Sequence, residues 1–100
     1  MDSAAAAADV ASLPDNMEVM ITDSANPSAY PIVGFTWLLM YENQKDPATA
    51  DTAVNFASWM ITDGQEFALP LDYASLKGTA QKKAEALVTK IKVNGANVMR

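Results

Sequence analysis

The first residues whose pattern carries structural information are 4–12, an alanine-rich stretch with strong helix propensity that ends before Pro14. Residues 17–22 (M-E-V-M-I-T) alternate apolar and polar positions and predict a strand with Val19 and Ile21 on one face. Residues 23–31 contain Pro27 and Pro31 among Asp, Ser and Asn and predict a loop. Residues 32–41 (I-V-G-F-T-W-L-L-M-Y) carry the strongest strand signal. They are β-branched and aromatic and almost wholly apolar, so both faces are expected to be covered, with a bend or close contact at Gly34.

Helical spacing follows. Asp46 is placed to cap a helix with Pro47 at its first position, and Ala50, Val54, Ala57 and Ile61 recur on one face. Phe56, Trp59 and Met60 widen that stripe, and Gly64 is expected to end the helix. Residues 65–69 predict a short helix before Pro70, and 71–78 read as irregular. Residues 79–92 predict a second amphipathic helix with Ala80, Ala84, Leu87, Val88 and Ile91 inward, terminated by Asn94 and Gly95. The class is α/β, with two strands and three to four helices. Two strands do not make a stable sheet alone, so the pattern implies neighbours that these 100 residues do not supply.

Composition changes this picture by exclusion. Half of the residues are apolar and 19% are charged, as in a folded protein. There is no cysteine and no histidine, which removes disulfides, thiolate metal sites and every Ser-His or Cys-His nucleophile. No enzyme activity and no cofactor is expected. The net charge of −5 is unevenly spread: residues 1–72 hold eleven acids against Lys45, and residues 73–100 hold six bases against Glu85. No aromatic interleaves with those lysines, so they read as a solvated helix face and not as a nucleic-acid surface. No secretory signal is visible, because the alanine run follows Asp2, not a basic segment. Residues 32–41 are half the length that a membrane span requires.

Candidate chemistry is sparse. Glu42 with Asp46, and Asp63 with Glu66, are possible carboxylate pairs, but both lie where exposure or capping attracts acids. Ser24, Asn26, Ser28 and Tyr30 form a polar loop with the composition that turns require, and no glycine-rich phosphate cradle follows it. Trp37 and Trp59 read as core residues, each within a strongly apolar element. No catalytic, phosphate-binding or metal-ligating residue is assigned.

From Thr22 onward the chain resembles the C-terminal part of the periplasmic phosphate-binding proteins of phosphate ABC transporters. The segments that carry the resemblance are A-Y-P-I-x-x-F-T-W-L-L at 29–39, F-x-x-W-x-x-T-D-G-Q at 56–65 and L-x-Y-x-x-L at 71–76. Asp72 stands where that family usually has glycine, and Ser75 and Lys77 where it often has proline. The resemblance implies a fragment of a two-lobed receptor of the type II periplasmic-binding-protein fold. Residues 1–31 would then be the end of the second lobe and a hinge loop, and residues 32–100 the returning strand and helices of the first lobe.

It further implies a periplasmic receptor that captures inorganic phosphate and delivers it to an ABC permease, together with an upstream part of the same receptor. The family's R-x-x-x-S-G-T phosphate motif does not occur, and the only arginine is Arg100, so the phosphate ligands are expected outside this chain. The alternative is a free-standing interaction module or truncated paralogue without ligand binding. Studied by itself, the chain is expected to self-associate through the apolar strand 32–41.

Overall fold

The computed structural model describes residues 2–8 and 13–98. Helix α1 spans Asp2–Ala8, and the remainder of the expected first helix, 9–12, lies outside the described residues. Strand β1 is Asn43–Gln44, helix α2 is Pro47–Ile61, helix α3 is Gly78–Thr89, and β2 and β3 are Lys92–Val93 and Ala96–Asn97. Two 3-10 segments, Asp63–Phe67 and Leu69–Leu71, join the longer helices. The sheet order is β1-β2-β3, with β1 parallel to β2 (Asn43 opposite Lys92) and β2 antiparallel to β3 (Val93 opposite Ala96). Helices with a small sheet make the class α/β, as the residue pattern implies.

Helix α2 forms as its sequence requires. Asp46 has extended backbone and its Oδ2 accepts from the Thr49 amide at 3.0 Å, while Pro47 occupies the first turn. Ala50, Val54 and Ala57 are buried and Ile61 is half-buried. The helix ends at Thr62, not at Gly64, and the short helix expected at 65–69 is replaced by the two 3-10 segments. Helix α3 stops at Thr89, three residues short of the expected end, because Lys92 and Val93 pair with β1 and β3. Asn94 (φ 52°) and Gly95 (φ 79°) do not cap that helix. They form the two-residue turn of the β2–β3 hairpin, and both central residues need the left-handed region that Asn-Gly adopts most readily.

The two long strands read from the pattern are absent. In 17–22 the alternation survives without a ladder: Met17 and Ile21 are buried and Val19 packs against them, but Met17 has φ 62° and its carbonyl accepts locally from Val19. Residues 32–41 form no strand, and no described strand pairs with them. The loop 23–31 forms as expected, closed by Asp23 N–H donating to the Pro31 carbonyl at 2.8 Å.

The core gathers Leu13, Met17, Ile21 and Ala80, with Val33, Phe35, Leu76 and Leu87 packed around it. Of the apolar run, Val33 and Phe35 pack against this core. Leu39 is 90% exposed and Tyr41 84%, so the expectation that both faces of 32–41 are covered does not hold. The radius of gyration is 14.7 Å, above the ~13 Å of a compact chain of this length.

Candidate functional site

The polar loop satisfies itself. Ser24 Oγ accepts from the Asn26 amide at 3.2 Å, Asn26 Oδ1 accepts from the Ser28 amide at 2.9 Å, and the Asn26 carbonyl accepts from Ala29. These are side-chain turns that fix the loop's own backbone, and Tyr30 is exposed beside them. The carboxylate pairs do not form sites either. Asp46 accepts from the Thr49 amide and hydroxyl, which hold its carboxyl below the usual range, while Glu42 is exposed in the preceding turn. Asp63 and Glu66 are exposed in the first 3-10 turn. Among the described residues, no three acidic, histidine or cysteine side chains come together as a metal site.

A cavity of about 140 Å³ lies between α2 and α3, lined by Ser58, Ile61, Thr62, Glu85, Val88 and Thr89. Its threonine hydroxyls are committed to helix carbonyls: Thr62 donates to Ser58 O at 2.7 Å and Thr89 to Ala86 O at 2.6 Å. Glu85 is its one charged lining residue, so the cavity repels an anion.

The most highly connected polar group is one to which the residue pattern assigned no role. Gln65 Nε2 donates to the Met60 carbonyl at 2.6 Å, Gln65 Oε1 accepts from the Leu76 amide, and its carbonyl accepts from Ser75 Oγ at 3.3 Å. Gln81 Nε2 adds a bond from α3 to the Ile61 carbonyl at 2.7 Å. Together they tie the open end of α2 to the segment that leads into α3, satisfying carbonyls that a helix terminus leaves free.

Gly64 closes on Trp59: a Cβ there would lie 2.9 Å from the Trp59 carbonyl oxygen and 3.0 Å from its ring. That ring stacks on Phe56 at 6.1 Å and meets Phe67 at 6.0 Å. The W-x-x-T-D-G-Q run is thus a structural clamp. The signal that points to it is the glycine and glutamine at the third and fourth positions past the end of α2.

Of the other two segments of the resemblance, 71–76 meets the clamp through Ser75 and Leu76, whereas 29–39 makes no hydrogen bond to it among the described residues. Residues 29–39 run along the surface, and Trp37 is 52% exposed, contrary to its reading as core; Trp59 is nearly half exposed as well. Leu71 and Tyr73 are exposed, and Asp72 sits at φ 65°, the left-handed region where the resembled pattern places glycine. Aspartate is among the non-glycine residues that enter this region most readily.

The one ion pair among the described residues joins Lys83 to Asp15 at 2.9 Å, and the lysine's hydrogen bond and charge lower the Asp15 carboxyl. Asp15 and Asp46 both lie below their ordinary value of 3.8, so each contributes stability above that value and loses it as pH falls through the lowered one. A thermal-melt series is therefore expected to show the melting point rising from strongly acidic conditions to about pH 5. In Asp46→Asn with Asp15→Asn this acid slope shrinks.

No family model matches the chain, and no solved structure matches it. Among curated proteins, the chain is similar to binding proteins. The chain is 31% identical over 71 residues to the phosphate-binding protein PstS of Xylella fastidiosa strain 9a5c, which covers 71% of this chain and 20% of that protein. The same protein of strain Temecula1 gives the same identity and coverage. The phosphate-binding protein PstS of Methanocaldococcus jannaschii is 40% identical over 48 residues, 44% of this chain and 12% of that protein. The chain thus spans a fifth or less of the length of the curated relatives it matches, and its similarity is to a part of them.

Proposed function

We propose that these residues serve as the C-terminal part of a phosphate-binding receptor with the type II periplasmic-binding fold, whose phosphate ligands lie outside this chain. The observation that carries the reading is the partial identity to phosphate-binding proteins from a bacterium and an archaeon. The exposed run 32–41 supports it physically, because an uncharged strand of that kind is built to lie inside a larger sheet. In this reading the receptor works outside the cytoplasm, binds inorganic phosphate between two lobes and passes it to a membrane permease. Residues 1–31 complete the second lobe and hinge, and 32–100 return to the first lobe. These residues supply packing and no catalysis. Among the described residues, no helix is long and apolar enough to cross a membrane.

Calorimetric titration of inorganic phosphate into this chain by itself tests where the ligands are. No saturable heat is expected, since the cavity between α2 and α3 is lined by a carboxylate and no cation, and the acids of the chain outnumber the bases. Saturable binding would place a complete anion site within these residues and overturn that assignment.

A further inference from the structure

Asn94 is the one asparagine of the chain that precedes a glycine, and the pair forms the exposed turn between β2 and β3. The backbone nitrogen that follows an asparagine can attack its side-chain amide, and a glycine there puts no side chain in the way. Asn16, Asn43, Asn55 and Asn97 are followed by Met, Gln, Phe and Val, whose side chains crowd that attack. Asn26 is followed by a proline, which has no N–H. At Gly95 the space on the Cβ side is empty within 4 Å, and among the described residues neither its amide nor the Asn94 carboxamide is hydrogen-bonded. The turn nevertheless holds the reacting atoms apart. The φ values of 52° and 79° are those of a type I′ turn, whose first central residue has ψ of about 30°. Closing a five-membered ring requires that bond to rotate well away from this value, until the Gly95 nitrogen faces the Asn94 side chain.

We propose that Asn94–Gly95 is a deamidation site gated by the β2–β3 hairpin, closed while the strands are paired and reactive when they open. In the open hairpin the Gly95 nitrogen gives up its proton to solvent base and bonds to Asn94 Cγ. The Cγ–Nδ2 bond breaks and ammonia leaves with a proton from water. Water then opens the resulting succinimide at either carbonyl, which yields aspartate or isoaspartate; nothing is oxidised or reduced. Opening costs little, because each strand has two residues. Outside the ladder, Val98 N–H donating to the Ile91 carbonyl at 3.0 Å closes the hairpin, and Lys92 N–H donating to the Glu42 carbonyl at 2.7 Å fastens β2. Isoaspartate carries an extra backbone carbon through the two-residue turn, so Val93 no longer falls opposite Ala96 and β2 loses its antiparallel partner. The inference stands on the hairpin and not on the receptor reading, which phosphate titration tests and deamidation does not touch.

Incubation of the full chain in mildly alkaline buffer, with and without urea, tests it. Peptide mass spectrometry follows each asparagine, and methyltransferase labelling reports isoaspartate. Conversion is expected at Asn94 in both conditions, slower without urea by about tenfold or more, as local opening of a marginal hairpin allows. Lys92→Pro removes the amide that reaches Glu42 and is expected to bring the rate in buffer close to that in urea, with helical circular dichroism unchanged. Gly95→Ala is expected to slow conversion in urea by about tenfold or more, because its methyl crowds the attacking nitrogen. Chains that carry isoaspartate are expected to lose hydrogen-exchange protection at the Val98 amide. An Asn94 that stays intact in urea, or converts there no faster than Asn97, overturns the proposal. Equal rates in buffer and urea, or full Val98 protection in the isoaspartate chain, overturn it as well.

Discussion

Replacing Gly64 by alanine is expected to destabilise the chain by about 1–3 kcal/mol, the usual range for forcing a methyl into occupied space. The new Cβ would meet the Trp59 carbonyl oxygen at 2.9 Å and two ring carbons at 3.0 Å. The carbonyl is not free to retreat, because it already accepts from the Thr62 amide at 3.2 Å, where the chain leaves α2. The indole has more freedom but lies between Phe56 and Phe67, so moving it disturbs both aromatic contacts. For a chain of this size each kcal/mol lowers the melting point by about 4–8 °C. Thermal melts with tryptophan fluorescence check the expectation: a lower midpoint together with an altered emission maximum. An unchanged midpoint and unchanged emission would show that the indole yields without cost and that Gly64 does not hold the clamp.

Gln65→Leu is the second large effect. Leucine has a similar volume but branches one carbon earlier, so most of the packing is kept while both amide bonds vanish at once. The Met60 carbonyl loses its donor and the Leu76 amide its acceptor. Each partly buried group left without a partner costs about 1–3 kcal/mol, towards the lower end where water can reach it. Gln65→Glu separates the two bonds. A carboxylate still accepts from Leu76 but faces the Met60 carbonyl without a proton to donate, so an intermediate loss is expected at neutral pH, eased on acidification as the carboxyl regains a proton. Hydrogen exchange at the Leu76 amide gives the local readout: protection falls in Gln65→Leu and is retained in Gln65→Glu. Protection equal in all three proteins would mean that the clamp does not hold the segment entering α3. Gly64 and Gln65 are adjacent and share the same turn, so their effects are not expected to add.

Local chemistry was legible in the sequence wherever it was self-sufficient. Asp46 and Pro47 start α2 because a cap and a proline need only their own next turn. The loop closed by Asp23 and Pro31 follows from its prolines and side-chain turns. Ala50, Val54 and Ala57 face inward because helical periodicity alone decides it.

What failed depended on groups distant in the sequence or missing from it. A strand signal such as 32–41 states what the backbone can do, and a ladder requires a second strand that no described residue provides. For the same reason Trp37, a core residue by its apolar surroundings in the sequence, is half exposed. Asn94-Gly95 was read as a stop, although its sequence is also the strongest hairpin signal; β1, lying some fifty residues upstream of β2, decided between them. The candidate site was legible mainly as an exclusion. The lack of histidine, cysteine and any arginine before Arg100 removed most chemistries, and the polar loop and acids proved to be occupied with capping and turns. Gln65 went unassigned because a glutamine declares no role until Met60 and Leu76 are known to flank it.

A hybrid receptor tests the central claim most directly. In the Xylella fastidiosa phosphate-binding protein, the stretch matched by this chain is exchanged for this chain's own residues, and phosphate is titrated calorimetrically into the folded product. If these residues are the packing portion of such a receptor, the hybrid binds phosphate within about tenfold of the parent, a change of no more than ~1.4 kcal/mol. A hybrid that folds, with the parent's secondary structure and a cooperative melt, yet takes up no phosphate would contradict the account.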